Sequence, residues 1–213
     1  MKCDKNTMRL YAVTDRAWTG KQSLYEQVES ALKGGVTCVQ LREKGMDEDW
    51  LVKEATAIAA LCRRYGVPFL VNDNVDVALR CGADGVHVGQ DDMAAAQVRQ
   101  RVGRDRIVGV SAHSVAQALE AVKNGADYLG VGAAFSTSTK RDANVLPRGV
   151  LHDICEAVDV PVVAIGGISR ANIMRLSGTG VDGVALVSAI FAAEDIEAEC
   201  RALRALSEEM TGA

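Results

Sequence analysis

The stretch TCVQLREKGMDEDWLVKEATAIAALCRRYGVPFLVND, residues 37–73, predicts a strand, an amphipathic helix and a second strand in succession. Its middle part places apolar residues on one face of a helix of 3.6-residue period, at Leu51, Ala55, Ile58, Ala59 and Cys62. The flanking runs TCVQLR and PFLVN are short and rich in apolar or β-branched residues, which is typical of strands buried on both faces. The stretch therefore predicts a parallel strand pair with a right-handed helical crossover.

The same alternation runs along the whole chain. Eight runs have the character of buried strands, namely RLYAVT, TCVQLR, PFLVN, GVHVG, RIVGVS, YLGVG, PVVAIGG and GVALVS, and amphipathic stretches separate them. Eight strand–helix units predict an α/β protein with a closed (β/α)8 TIM barrel, formed as a single domain over residues 1–213. An open doubly wound sheet is the alternative, but the first strand–helix turn, VTDRAWTGKQS, has no G-x-G-x-x-G motif.

The composition bears on partners and on the cellular compartment. Apolar residues make up 48% of the chain and charged residues 24%, with a formal net charge of −4, which argues against general binding to nucleic acid or anionic membranes. The amino-terminal segment lacks a signal-peptide core, and no run approaches the roughly 20 apolar residues that span a bilayer. We therefore expect a cytoplasmic protein that binds any anion at a local site.

The cysteines and histidines show no metal-binding spacing. The cysteines at positions 3, 38, 62, 81, 155 and 200 contain no C-x-x-C pair, so they are interpreted as small apolar residues in a reducing compartment. The three histidines, His87, His113 and His152, are interpreted as structural.

A TIM barrel carries its active site at the carboxyl ends of the strands, and the second strand ends in charged residues. In VQLREK, Gln40, Arg42 and Lys44 alternate and share one face, while Val39 and Leu41 face the helices. A cationic series on the inward face is costly to bury without a partner, so it predicts an anion site. The alternative is a strand end that simply extends into solvent.

Two aspartates follow the third and fourth strands. Asp73 lies in VNDN and Asp92 in GQDD. Each could be the N-cap of the next helix. Two hard oxygen ligands at adjacent strand ends, across from cations, instead favour a Mg²⁺ ion that bridges the protein and a polyphosphate.

Two further segments indicate a second anion site. The runs IGGIS and VSAI end the seventh and eighth strands, where these barrels commonly bind phosphate, and they contribute Gly166, Gly167, Val187 and Ser188. The segment GAAFSTSTKRDA, residues 132–143, follows the sixth strand and is rich in hydroxyl groups. Its threonines are expected to donate to a phosphate while its lysine reaches toward the cations of the second strand. A solvated turn is the alternative.

Taken together, these motifs resemble the thiamine phosphate synthase family. The similarity runs from YAVTD to VSAI through QLREKG, PFLVND, ADGVHVGQDD, GVSAH, ADYLGVG, TSTK and AIGGI, in that order. The resemblance implies a transferase of thiamine biosynthesis with a (β/α)8 barrel. Such an enzyme joins an aminopyrimidine methyl diphosphate to a thiazole phosphate, with or without a carboxylate, and releases pyrophosphate with Mg²⁺ as cofactor. The route implied is dissociative, through a pyrimidinylmethyl cation.

The resemblance also implies roles for individual residues. The pyrimidine diphosphate would be bound by Gln40, Leu41, Arg42, Glu43, Lys44, Asn72, Ser111 and Lys140. The thiazole phosphate would be bound by Thr137, Ser138, Thr139, Gly167, Val187 and Ser188. Asp73 and Asp92 would bind Mg²⁺, and the catalytic residues would be Arg42, Lys44, Ser111 and Lys140. Small phosphorylated molecules are thus the expected partners, and homo-oligomerisation is left open.

Two other functions fit part of the pattern. A thiazole tautomerase-like isomerase would bind the thiazole phosphate but needs neither the cations nor the two aspartates. A non-catalytic barrel that binds a phosphorylated metabolite would not need metal ligands. The chain also departs from the family at residues 133–136, where AAFS replaces a proline-containing loop, so the stiffness of this loop is not implied by the resemblance.

Overall fold

The computed structural model describes residues 3–20, 22–43, 45–137, 144–147 and 149–213. Within these residues, eight parallel strands form a closed barrel in which each strand pairs with its neighbours in chain order and β8 pairs with β1. The strands are β1 Leu10–Val13, β2 Cys38–Leu41, β3 Phe69–Asn72, β4 Gly85–Val88, β5 Ile107–Ala112, β6 Tyr128–Gly132, β7 Val162–Ile165 and β8 Gly183–Leu186. Each of the eight predicted runs contains one of these strands or most of it, so the predicted barrel is confirmed.

Helices cover the outside of the barrel. In the described part of the chain they are α1 Leu24–Lys33, α2 Glu48–Tyr65, α3 Val75–Cys81, α4 Ala95–Val102, α5 Val115–Lys123, α6 Val150–Ala157, α7 Ser188–Phe191 and α8 Ile196–Thr211. The predicted alternation differs after β7, where a short 3-10 helix, Ile173–Leu176, occupies the place of a full helix. The segment between β7 and β8 has glycines with positive φ near both of its ends, at Gly167 and Gly180, which limits the length available for a helix. No helix of the described residues is long and apolar enough to cross a membrane.

Helix α2 shows how the sequence sets its own boundaries. Asp47 caps its start by accepting a hydrogen bond from the Trp50 amide at 3.0 Å. Gly66 ends it in the left-handed conformation, at φ 68°. All five apolar residues that predicted the helix are buried, namely Leu51, Ala55, Ile58, Ala59 and Cys62.

The core has two layers. The outer layer lies between strands and helices and includes Val39 and Leu41, as the alternation in β2 predicts. The inner layer fills the barrel and includes Tyr11, Leu70 and Tyr128. All six cysteines are free thiols, and burial raises the pKa of the Cys62 thiol to about 12, as expected for apolar residues rather than reactive ones.

Close strand contacts require glycine at particular positions. A Cβ atom on Gly85 in β4 would lie 2.1 Å from the carbonyl oxygen of Ile107 in β5, so the backbone of the barrel would have to move. Overpacking that moves backbone lowers the free energy of unfolding by about 3 kcal/mol, the upper end of the usual range. We expect Gly85→Ala to lower the melting temperature by about 6–12 °C, measured by circular dichroism. Gly20→Ala is the matched control, because nothing lies within 4 Å of its Cβ position. Equal melting temperatures for the two variants would contradict this packing.

Candidate active site

A buried hydrogen-bond chain crosses the barrel interior toward the carboxyl ends of the strands. Gln40 Nε2 donates to the Tyr11 hydroxyl at 2.6 Å. The hydroxyl groups of Tyr11 and Tyr128 are 2.8 Å apart, and the Tyr128 hydroxyl is 2.7 Å from His87 Nδ1. His87 Nε2 is in turn 3.0 Å from Ser111 Oγ. Five side chains from β1, β2, β4, β5 and β6 therefore form one continuous network.

Two glycines leave room for this network. A Cβ atom on Gly109 would lie 2.2 Å from the Tyr128 ring, and one on Gly130 would lie 3.1 Å from His87 Cε1. Sequence reasoning gave Tyr11 and Tyr128 no role and interpreted His87 as structural. The available signal was a pair of strand glycines, which often mark close approach of another group.

Burial controls the ionisation of the network. Desolvation lowers the pKa of His87 to about 4, and the negative charge of Asp92 offsets only part of that shift. Desolvation likewise raises the pKa of Tyr11 and of Tyr128 well above the ordinary value. The network is therefore neutral near pH 7, and its groups act by hydrogen bonding rather than by charge.

The end of β2 carries the predicted cation. Gln40 is buried inside the barrel, whereas Leu41 packs in the outer layer. The side chain of Leu41 thus faces away from the mouth, and any contact it makes there uses its backbone. The Arg42 amide donates to Thr14 Oγ1 at 3.0 Å, which anchors the strand end. Within the described residues the Arg42 guanidinium has no hydrogen-bond or carboxylate partner, so its charge is available to a ligand.

Glu43 has a partner within the protein. Its Oε2 is 3.2 Å from Arg16 Nε, and Arg16 also pairs with Glu54 and stacks over the ring of Trp50. The Glu43 side chain is only 4% exposed. A carboxylate in this arrangement is better suited to hold the strand end than to contact a diphosphate. Lys44, the last predicted cation of this segment, lies outside the described residues.

The two aspartates lie at adjacent strand ends, as predicted. Neither is a helix N-cap: Asn74 caps α3 through the Val77 amide at 2.9 Å, and α4 begins after Ala94 without a side-chain cap. The N-cap alternative is therefore wrong. Asp92 accepts a hydrogen bond from the Gly89 amide at 2.8 Å, so its side chain turns back toward the end of β4.

Asp73 has an uncommon backbone conformation. It is the only described residue other than glycine with positive φ, at 60°. Its amide donates to the carbonyl of His87 at 2.8 Å, and Asn72 Nδ2 donates to its carboxylate at 2.5 Å. Left-handed backbone outside glycine is most accessible to Asp and Asn. The conformation ties the end of β3 to β4 and brings Asn72 and Asp73 together at the mouth.

The loops after β6 and β7 are bonded to each other. The Ala134 amide donates to the carbonyl oxygen of Ile165 at 2.9 Å, and the Phe135 amide donates to the carbonyl oxygen of Gly166 at 3.0 Å. Gly167 has φ 64°, and a Cβ atom there would lie 2.2 Å from the carbonyl oxygen of Ser136. The glycine pair thus allows the hydroxyl-rich loop to lie directly against the end of β7.

The described part of the predicted second anion site includes the start of α7. Ser188 is the first residue of that helix and Val187 its N-cap, without a side-chain capping bond. Thr137 is described at the end of the hydroxyl-rich loop, while Ser138, Thr139 and Lys140 lie outside the described residues. Val187 and Ile165 pack against the inner apolar layer, which gives this side of the mouth an apolar floor.

Two surface cavities, of about 390 and 440 Å³, lie at the opposite end of the barrel. Asp182 and Arg9 line the first, and Thr37 and Pro68 line the second. These residues precede strands or lie at their amino ends, whereas the candidate site lies at the carboxyl ends. The chemistry predicted from the sequence is therefore not assigned to either cavity.

A closed parallel barrel with polar groups gathered at the carboxyl ends of its strands defines a (β/α)8-barrel enzyme. Residues 10–190 match the family model described as thiamine monophosphate synthase. A thiamine-phosphate synthase of Chloroflexus aurantiacus is 50% identical over 200 residues, covering 93% of this chain and 92% of the relative. One of Clostridium acetobutylicum is 46% identical over 195 residues, covering 92% of each.

A solved structure with a corresponding name also matches this chain in sequence and in fold. The thiamine phosphate pyrophosphorylase of Pyrococcus furiosus superposes with a TM-score of 0.89 at 40% identity, covering 97% of this chain and 98% of that one. The chain belongs to the thiamine monophosphate synthase family.

Proposed function

We propose that this chain is a thiamine-phosphate synthase, a transferase that joins a pyrimidinylmethyl diphosphate to a thiazole phosphate and releases pyrophosphate. Family membership supports the activity. The structural observation that carries the proposal is the end of β2, where the Arg42 side chain has no partner among the described residues and lies at the same end of the barrel as Asp73 and Asp92. A cation beside two carboxylates suits a diphosphate that arrives with a divalent metal. We further propose that the chain acts as one domain in the cytoplasm.

The pyrimidine diphosphate is assigned to the β2, β3 and β5 side of the mouth. Its proposed residues are Gln40, Leu41, Arg42, Glu43, Lys44, Asn72 and Ser111, together with Lys140 from the segment that follows β6 in the chain. Ser111 ends the buried hydrogen-bond chain, and Arg42 supplies charge. Glu43 contributes indirectly, since its carboxylate pairs with Arg16.

The thiazole phosphate is assigned to the β6, β7 and β8 side. Its proposed residues are Thr137, Ser138, Thr139, Gly167, Val187 and Ser188. Gly167 supports this assignment because its conformation lets the hydroxyl-rich loop approach the end of β7. The apolar Ile165 and Val187 beneath the loop suit a thiazole ring rather than a second charged group.

The residues at the mouth fit a Mg²⁺ ion bound by Asp73 and Asp92. Both are hard oxygen ligands at neighbouring strand ends, and neither serves as a helix cap. Among the described residues no cluster of three or more Asp, Glu, His or Cys side chains could hold a metal. Two carboxylates suit Mg²⁺ in particular, since it keeps several waters and takes other ligands from substrate phosphates. When bound, the ion would neutralise charge on the diphosphate.

The proposed reaction breaks the bond between the pyrimidinylmethyl carbon and the diphosphate oxygen. The electron pair leaves with pyrophosphate, and the thiazole ring nitrogen supplies the pair for the new C–N bond. Negative charge on the leaving group rises as the bond breaks, so Arg42, Lys44 and Lys140 stabilise the transition state more than the ground state. Side chains such as Ile165 and Val187 keep water from the carbon that becomes cationic. No protein nucleophile takes part.

The direct test is formation of thiamine phosphate from the two phosphorylated substrates, with and without Mg²⁺. We expect product and one equivalent of pyrophosphate only when both substrates and the metal are present. Isomerisation of the thiazole phosphate alone would support the tautomerase-like alternative. Tight binding without turnover would support the metabolite-binding barrel.

Ser188→Asp tests the thiazole phosphate side. A carboxylate at the start of α7 would repel the phosphate, so we expect the KM for thiazole phosphate to rise at least about tenfold. The KM for the pyrimidine diphosphate should stay within about twofold, because that ligand is assigned to the other side. Ser188→Asn is the control of similar size without charge. A normal KM for thiazole phosphate in the folded Asp variant would show that the phosphate binds elsewhere.

A further inference from the structure

The hydrogen-bond partners favour one direction of proton donation along the buried chain. Gln40 Nε2 donates to Tyr11, and the Tyr128 hydroxyl is a stronger acceptor than the neighbouring Cys38 thiol, so the single hydroxyl proton of Tyr11 is given to Tyr128. Tyr128 then gives its own proton to the remaining neighbour, His87 Nδ1. Because Nδ1 accepts, the imidazole carries its proton on Nε2 and donates it to Ser111 Oγ. The hydroxyl proton of Ser111 is left for a group in the mouth.

We propose that Tyr11, Tyr128 and His87 are positioning residues that fix the hydrogen-bond roles of the two ends of the chain, with Ser111 a donor and the Gln40 carbonyl oxygen an acceptor. This proposal rests on the proposed function for the identity of the ligand. An aminopyrimidine carries both an N–H donor and unprotonated ring nitrogens, so it can use one acceptor and one donor. A ligand with the opposite pattern would leave a polar group unpaired.

The surroundings make the arrangement rigid. Tyr11 and Tyr128 are no more than 1% exposed, and their rings meet edge to face with centroids 5.9 Å apart. Gly109 gives the Tyr128 ring its space, because a Cβ atom at that position of β5 would lie 2.2 Å from the ring. Gln90 Nε2 donates to the Ser111 carbonyl at 2.6 Å, which holds the strand that carries the last hydroxyl.

The first measurement is the tautomer of His87 in ligand-free protein, by nitrogen-15 NMR of labelled histidine. His113→Asn and His152→Asn assign the other two ring signals. We expect His87 to be protonated at Nε2 and unprotonated at Nδ1. A proton on Nδ1 would mean that the chain runs in the reverse direction. Ser111 would then donate to His87 Nε2 and could only accept from a group in the mouth, which would overturn the proposal. This measurement needs no activity, so it stands even if thiamine phosphate is not the product.

The second measurement is the effect of Tyr128→Phe, which removes the donor to Nδ1 and keeps the ring. We expect loss of the fixed tautomer and a fall of about five- to tenfold in kcat/KM for the pyrimidine diphosphate, with the KM for thiazole phosphate unchanged. Tyr11→Phe should keep the tautomer, since Tyr128 can still donate to His87. Tyr65→Phe, on the exposed surface, is the control for loss of a hydroxyl.

A double variant separates positioning from general stability. If Tyr128 acts through Ser111, Tyr128→Phe should cost little further activity in a Ser111→Ala background. Additive losses, equal effects on both substrates, or an unchanged His87 tautomer in Tyr128→Phe would each overturn the proposal. If the wild-type protein makes no thiamine phosphate, the proposed function fails, while the tautomer still decides the direction of the chain.

Discussion

Asp92→Asn is expected to lower turnover by about 100- to 1,000-fold at fixed Mg²⁺, because a metal ion that neutralises the departing diphosphate would be worth several kcal/mol and each 1.36 kcal/mol is tenfold in rate. The substitution removes the charge but keeps an oxygen that can accept the Gly89 amide hydrogen bond. A higher Mg²⁺ concentration should restore part of the activity, since the variant binds the metal at the same place with lower affinity. Steady-state kinetics over a range of Mg²⁺ concentrations measure both effects.

The control for this variant is Asp91→Asn, which removes the same charge from the exposed neighbouring residue. We expect it to change turnover by less than about twofold, since Asp91 is assigned no contact with the metal and an exposed charge interacts weakly with a group that it does not bind. Thiazole phosphate binding, followed by calorimetry, should be the same in both variants. If Asp92→Asn weakens thiazole phosphate binding as much as it slows turnover, the metal and the thiazole do not occupy separate parts of the mouth.

Arg42→Met is expected to lower kcat/KM for the pyrimidine diphosphate by about 100-fold. A hydrogen bond to a charged group is worth about 1.5–3 kcal/mol, and an arginine commonly makes two such bonds to one phosphate. Met keeps much of the length and apolar contact of the side chain. The Arg42 amide bond to Thr14 does not depend on the side chain, so the strand end should stay in place. The measurement is initial rates with each substrate varied in turn.

Arg63→Met provides the matched loss of charge. Arg63 is exposed on α2 and has no hydrogen-bond or carboxylate partner among the described residues. We expect normal kinetics for this variant. The assignment of Arg42 would be wrong if its variant also had normal kinetics, or if the defect appeared mainly in the KM for thiazole phosphate.

The layout of the site was predictable to the extent that it depends on strand ends. Arg42 and Asp73 directly follow β2 and β3, and Asp92 lies in the loop after β4, so the order of the strands and the barrel rule place all three at one mouth. The same reasoning could not distinguish a metal ligand from a helix cap. The structure excludes the cap for Asp73, because Asn74 caps α3 and Asp73 adopts a left-handed conformation before it.

The side-chain partners were not predictable. Glu43 and Arg16 lie in different units and pair only because the ends of β1 and β2 are adjacent. Tyr11 and Tyr128 are 117 positions apart in the chain and meet inside the closed barrel. Strand alternation indicates which side of a strand a residue faces, but it does not indicate which residue lies across the interior.

The sequence by itself determined the barrel, the strand positions, most helix positions and the end at which the candidate site lies, because these follow from local periodicity and from short-range signals such as Asp47 and Gly66. Only the tertiary structure decided the buried chain from Gln40 to Ser111, the pairing of Glu43 with Arg16 and the short helix after β7. Those features depend on packing between residues distant in the sequence, where a few tenths of an ångström decide whether a hydrogen bond forms or a Cβ atom fits.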